Sequence, residues 1–319
     1  MRVVAFVPGS ISDQILFFPT LDDLKRYYPD AQIDVIVEPQ SKAAYRVSKS
    51  VHEVLTFDYS DRNSLADWSN LVGTIRDREY DVAITAGESW FIGLFLWLTG
   101  IPTRIGYKGK GAGFLTNTIR RNTFQYVAAM YHDLLQPMRI KTPCPELTAN
   151  VPKPDIQWAQ QEQKRLGIHE TGYILIYGGS SYSSQIDGAD TSYPIGSWQQ
   201  IIQDCQHKQP ELPIVLIKEA DDENFVRVLL ESCSNIKITS PDDIGKLTAI
   251  IGGASLMLSI ENAPLQLAIA VQTYTIALLG STDPDKLLPK SDKFLAIKSH
   301  SGKTADIPPT TVLEKIWGG

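Results

Sequence analysis

Three short segments hold the side chains with which this chain could do chemistry: "PGSISDQ" (8–14), "YGGSSYSSQIDGADTSYP" (177–194) and "IENAP" (260–264). Each stands where an apolar run hands over to a helical one, and such strand-to-helix turns are where open α/β sheets meet their ligands. The second segment is long, small and hydroxyl-rich. Its backbone N–H groups, with the helix that follows, suit a phosphate or another oxyanion. It is neither a Walker loop nor a G-x-G-x-x-G fingerprint, and a plain surface loop is the competing reading. In the third segment, Glu261, Asn262, Ala263 and Pro264 make a turn with no cation and no histidine, between "ASLM" and "LQLAIAV".

The elements that must hold these turns alternate along the chain. In the first half the β-rich runs are "VVAFVP" (3–8), "IDVIVE" (33–38), "EVLTFD" (53–58), "DVAITA" (81–86) and "RIGY" (104–107). Helical stretches lie between them: "QILFFPTLDDLKRYY", residues 42–49, "SLADWSNLVGTIRDR" and "SWFIGLFLWLTG". The second half repeats the rhythm with "YILIYG" (173–178), "PIVLIK" (213–218), "NIKIT" (235–239), "SLMLSI" (255–260) and "YTIALLG" (274–280), and with helices over 195–206, 223–232 and 244–251. Continuous rather than alternating apolar strands, joined by helix-length segments, require a parallel sheet covered on both faces. Between the halves, "KTPCPELTANVPKPDIQ" has four prolines in seventeen residues, which argues against both a central strand and a long helix. The expectation is two doubly wound, Rossmann-like α/β domains, 1–150 and 151–319, facing across a cleft lined by the carboxyl ends of their strands. A proline-rich hinge would let them close over a ligand.

Composition narrows the partners. A net charge of -6 and a pI near 5.4 argue against nucleic acid bound through bulk charge. Cys144, Cys205 and Cys233 have neither metal spacing nor the density of a disulfide scaffold, so they read as small hydrophobes in a reducing compartment. The histidines, His52, His132, His169, His207 and His300, show no metal spacing. "MRVVAFVPGS" enters a strand directly, so the expected location is the cytoplasm, with the inner face of the membrane as a variant. "SWFIGLFLWLTG" is very apolar but too short to span a bilayer. Core packing is its default role, and a patch that touches membrane is the rival.

The succession "SDQILFFPTLDDLKRYYPDAQIDVIV", "TGIPTRIGY", "YPIGSWQQII" and "LTAIIGGASLMLSIENAPLQLAIAVQTYTIALLGSTDP" resembles glycosyltransferase family 9, the heptosyltransferase family, over nearly the whole chain. The resemblance implies the two-domain GT-B fold. It also implies inverting transfer of a sugar from a nucleotide diphosphate, ADP-heptose or a relative, to lipopolysaccharide or another glycan or glycolipid acceptor. No cofactor or metal is implied, since the nucleotide sugar is a substrate.

Carried over residue by residue, the resemblance makes Asp13 the general base, with Ser10 and Ser12 beside it on the acceptor side; the family's Gly-Asp pair reads Ser12-Asp13 here. Helix capping by the same residues is the alternative. On the donor side it places Gly178, Gly179, Ser180 and Ser181 against the diphosphate. Thr191 and Ser192, in "TSYP", stand where the family has Lys-Arg-Trp-Pro. The family's Asp-Ser/Thr-Gly and following His read Glu261, Asn262, Ala263 and Gln266. The Cβ of Ala263 narrows the approach of a phosphate, and Gln266 donates a hydrogen bond without charge. Lys218 ends a strand, and Glu223 stands near the family's ribose-binding Glu. Losing one charge-assisted contact to a developing anion costs ~3 kcal/mol, so losing several leaves little activity without replacements. Lys108 and Lys110 in "YKGKGAGF", or Arg120 and Arg121 in "TIRRN", are candidate replacements, for which solvated charge, or a patch for an acidic acceptor, is the alternative, and Lys218 is a further candidate. The altered donor chemistry also admits a second outcome, a family member that kept the fold and acts as a binding or assembly protein.

Overall fold

The computed structural model describes residues 1–59, 64–178, 192–219 and 222–318 of the chain. They form two compact units, Met1–Asn150 and Val151–Gly319. The first runs β1 (Arg2–Phe6), α1 (Ile11–Tyr27), β2 (Gln32–Val37), β3 (Glu53–Thr56), α2 (Leu65–Asp77), β4 (Val82–Thr85), α3 (Trp90–Thr99), β5 (Thr103–Tyr107), β6 (Asn117–Ile119) and α4 (Val127–His132). The second runs α5 (Lys153–Leu166), β7 (Ile174–Tyr177), α6 (Ile195–Lys208), β8 (Ile214–Ile217), α7 (Glu223–Ser232), β9 (Ile236–Thr239), α8 (Ile244–Gly252), β10 (Leu256–Ile260), α9 (Ala263–Ala270), β11 (Thr275–Leu279), α10 (Pro284–Leu287), β12 (Phe294–Lys298) and α11 (Pro309–Trp317).

Each unit is built on one six-stranded sheet, in the order β3-β2-β1-β4-β5-β6 or β12-β11-β10-β7-β8-β9. Every ladder is parallel. Read from β9, the second order is the first one repeated, the doubly wound Rossmann arrangement expected from the sequence. The central strands are buried on both faces, which is why they read as unbroken apolar runs: Val3, Val4, Ala5 and Phe6 in β1 have no exposed surface, nor have Met257, Leu258 and Ile260 in β10.

Helix α1 continues through Pro19, which removes one backbone donor and costs ~3 kcal/mol in a helix interior. Burial outweighs it. Ile15, Leu16, Phe17, Phe18, Leu21 and Leu24 are each at most 3% exposed, at roughly 2 kcal/mol apiece. Asp23, on the same helix, is buried and accepts from Thr142 Oγ1 at 2.8 Å, with His132 Nε2 at 2.7 Å. His132 is thus committed to the interior.

Four sequence expectations are corrected. Residues 42–49 are not α-helix; a 3-10 segment covers Pro39–Val47. Ser41, Ala44 and Val47, three apart, are all fully buried, and that spacing stacks side chains on a three-residue turn. Helix α5 begins at Lys153, inside the proline-rich linker, because prolines at 152 and 154 flank its first residue, where a missing N–H costs nothing. Strands β6 and β12, at sheet edges, lay outside the expected set. Helix α1 starts at Ile11, so Ser12 and Asp13 belong to its first turn rather than preceding it.

Candidate functional site

Strand order reverses between β1 and β4 in the first sheet and between β7 and β10 in the second. At such a switch point the loops leaving two neighbouring strands part in opposite directions and open a crevice at the carboxyl edge. Two of the turns singled out in the sequence, after β1 and after β10, leave these switch-point strands; of the third, only Gly178, directly after β7, and Ser192–Pro194 are among the described residues.

In the first unit the turn after β1 is tightly held. Gln14, fully buried, donates Nε2 to Val7 O at 2.9 Å and accepts Tyr45 OH at 2.9 Å. Ser41 Oγ donates to Gly9 O at 2.7 Å. Gly9 has φ +122°, and a Cβ there would stand 2.5 Å from Asp13 Oδ2. Its bare Cα therefore lets the carboxylate fold back over the turn. Asp13 Oδ2 accepts the backbone N–H and the hydroxyl of Ser10, both at 2.8 Å. Oδ1 accepts Tyr131 OH at 3.1 Å. Asp13 caps the helix as the alternative reading held, and it remains half-exposed at the switch point. Ser12 is also half-exposed on this turn.

Tyr131, which sequence reasoning missed, lies in α4, far along the chain. Burial, then the Asp13 carboxylate, raises its phenol well above the ordinary range, so it acts as a hydrogen-bond donor. Of the four candidate cations in the first unit, Arg121 reaches α4, where its Nε donates to the sulfur of Met130, next to Tyr131, at 3.3 Å. It is already engaged, donating Nη1 to Glu88 Oε2 at 2.9 Å and lying over the Tyr107 ring. Lys108, Lys110 and Arg120 are exposed and make no ion pair with another described residue.

In the second unit Gly178 follows β7 directly, where a Cβ would run into the Phe225 ring, so glycine there serves packing. Gly179, Ser180, Ser181 and Thr191 lie outside the described residues. Ser192 is exposed. Lys218, after β8, stands 3.7 Å from Glu223, whose side chain is 82% exposed at the start of α7. Each of these two is the other's partner.

The turn after β10 answers its own puzzle in part. Asn262 is the N-cap of α9, its Oδ1 accepting from Leu265 N at 3.1 Å and from Ser259 Oγ at 3.2 Å; Pro264 falls in the first turn. Asn and Pro are thus a helix start. They also strip the helix end: Pro264 has no N–H and the N–H of Leu265 is taken, which weakens the anion seat a helix N-terminus ordinarily offers. Burial raises the Glu261 carboxyl above its usual range, opposed by a hydrogen bond from Thr282 Oγ1 at 3.0 Å. Gln266, expected to reach toward phosphate, is instead 1% exposed and donates to Leu287 O at 3.4 Å. Its Oε1 and the Nδ2 of Asn262 are buried without a protein partner.

Elsewhere Asp34, His52 and Glu53 bring possible metal-ligand atoms within 4.8 Å of one another. The guanidinium of Arg78 already bridges the two carboxylates, at 3.3 Å from Asp34 and 2.5 Å from Glu53, and supplies the cation there. In a hollow lined by Asp22, Asp23, Arg26 and Lys49, among others, the charges are likewise paired with one another, Arg26 with Asp23 and Lys49 with Asp22.

A family model described as glycosyltransferase family 9 (heptosyltransferase) matches residues 68–316. The photosynthetic NDH subunit of subcomplex B 1, chloroplastic, of Arabidopsis thaliana is 26% identical over 98% of this chain and 72% of its own. Lipopolysaccharide heptosyltransferase 3 of Escherichia coli is 21% identical over 85% of this chain and 81% of its own. The crystal structure of a glycosyl transferase family 9 protein from Veillonella parvula has the same fold, with a TM-score of 0.86 at 16% identity, covering 99% of this chain and 96% of that one.

Proposed function

The chain belongs to glycosyltransferase family 9, the heptosyltransferase family, and from that membership we propose that it transfers a sugar, with inversion, from a nucleotide diphosphate donor such as ADP-heptose to a glycan or glycolipid acceptor. The supporting observation is the setting of Asp13: a half-exposed carboxylate at the switch point of the first sheet, oriented by Ser10 and Tyr131. A carboxylate offers about four lone-pair positions, and three are used, which leaves one for an acceptor hydroxyl. In the displacement that hydroxyl oxygen attacks the anomeric carbon and gives its proton to Asp13. The bond to the nucleotide diphosphate breaks on the opposite face, and the diphosphate leaves with the electron pair. Lys218, loosely held by Glu223, is the cation this reading assigns to the leaving group. The acceptor's lipid side favours a location at the inner face of the membrane.

A second reading is favoured by the turn after β10. A half-buried acidic Glu261, a helix start with few free N–H groups and an inward Gln266 make a poor diphosphate seat. Likeness over nearly the full chain to a protein named as an NDH subunit points the same way. On this reading the chain kept the fold and serves a protein assembly. Calorimetry against ADP-, GDP- and UDP-sugars separates the two. Nucleotide binding is expected for the transferase, and its absence at millimolar concentration ends that reading.

A further inference from the structure

Helix α3 buries one face and leaves another bare. Ile92, Phe95 and Leu96 belong to the first unit's core. Trp90 and Trp97, seven apart and so on one face, are 53% and 54% exposed. Sequence reasoning assigned this segment either to the core or to a patch, and it is both.

Cations border the bare face. The 3-10 turn Ala112–Phe114 packs on α3, with the Phe114 ring beside Trp97 at 6.4 Å. Just before it, the Gly111 backbone approaches Trp90 so closely that a Cβ would stand 3.1 Å from the Trp90 Cα. Lys110, next to Gly111, and Lys108, two residues before it, are therefore carried on backbone that runs beside the start of α3. Arg120 joins them, because Tyr107 and Ile119 are paired across β5 and β6 and Lys108 N donates to Ile119 O at 2.7 Å. Four residues beyond Arg120, Phe124 is 92% exposed in a stretch, 121–124, that is exposed throughout.

We propose that this surface, with Trp90, Trp97 and Phe124 as apolar anchors and Lys108, Lys110 and Arg120 as cations, docks the protein on an anionic lipid surface. Tryptophan seats its ring at the boundary between headgroups and acyl chains, and each basic residue near such a surface contributes favourably. Lysine is depleted at protein–protein interfaces, so this pairing of bare aromatics with unpaired lysines favours lipid over a protein partner. A chain of net charge -6 is repelled by anionic lipid as a whole, so attraction has to be local. No helix among the described residues is long and apolar enough to cross a membrane, so the contact is peripheral. Trp90, Lys108, Lys110 and Arg120 follow the carboxyl ends of β4, β5 and β6, the edge that also bears Asp13 and where a lipid-borne acceptor would be presented; Trp97 extends the surface seven residues down α3.

The surface stands whether or not sugar is transferred, and its test uses no nucleotide. The full chain is floated with vesicles of neutral phosphatidylcholine or of the same lipid with 30% phosphatidylglycerol. Binding is expected to the anionic vesicles alone at low salt, with a blue shift of tryptophan emission and release at high salt. The combined variant Lys108→Ala, Lys110→Ala and Arg120→Ala should weaken it on the order of a hundredfold. Phe124→Ser and Trp90→Ser should each weaken binding to the anionic vesicles while circular dichroism shows an unchanged fold. Absence of binding to anionic vesicles, binding that the triple variant leaves intact, or self-association that the same variants abolish would each overturn the proposal.

Discussion

Tyr131 donates its hydroxyl to Asp13 Oδ1 at 3.1 Å, tying the first turn of α1 to α4 across most of the first unit. Tyr131→Phe keeps the ring, which packs against Phe17 at 5.5 Å, and removes only the donor. A loss of about 1.5–3 kcal/mol is expected in urea unfolding, the usual contribution of a hydrogen bond to a charged group. An unchanged unfolding midpoint would show that the bond does not form in solution.

Asp13→Asn retains an acceptor for Ser10 but cannot take a proton from a sugar hydroxyl. Transfer should fall by roughly a hundredfold or more, while the Kd for nucleotide, measured by calorimetry, stays the same. Equal turnover in the variant removes Asp13 from the role of base.

Gly9→Ala sets a methyl group against Asp13 Oδ2 at a backbone angle that L-residues rarely adopt. Strain of about 1–3 kcal/mol is expected, read as a lower thermal midpoint. A variant as stable as the parent contradicts the close approach.

Glu261 supplies a pH dependence. Its ordinary value is 4.5 and burial raises it in the folded chain. Between those two values the native state binds more protons than the unfolded state, so its contribution to stability is present at low pH and is lost as pH rises through the folded value. Glu261→Gln keeps a group that accepts from Thr282 and carries no charge. It should raise the thermal midpoint at pH 8 by about 2 °C, with the gain vanishing toward pH 4. A gain that grows on acidification has the wrong sign.

Burial pushes the Cys144 thiol up to about 12 and the Cys205 thiol up to about 11. Little thiolate exists at pH 8, so iodoacetamide should label these residues slowly in the native protein and rapidly in urea, as followed by mass spectrometry. Rapid native labelling would mean that these sites open readily.

What could be read from the sequence follows from where the information lies. Fully buried parallel strands such as β1, β7 and β10 announce themselves as unbroken apolar runs, and the turns after β1 and β10 stand where they were expected. Strand β6 could not be seen, because three residues at a sheet edge, Asn117, Thr118 and Ile119, carry no pattern. Asp13 was found by position along the chain. Its partner Tyr131 was not, since contact between residues so far apart is a product of tertiary packing. The same holds for Arg121 and Glu88, and for Thr282 and Glu261. The inward turn of Gln266 depends on Leu287, a backbone oxygen that no side-chain pattern reveals.

Each sheet finds all of its ladder partners within its own half of the chain, in one repeated strand order. A junction between Asn150 and Val151 therefore severs no strand pairing, and the halves lend themselves to exchange as cassettes. Grafting the carboxyl-terminal half of an active heptosyltransferase onto residues 1–150 would make a hybrid in which the proposed base, Asp13, and the donor-side half come from different parents. Turnover in that hybrid would locate any catalytic deficit of this chain in its second half.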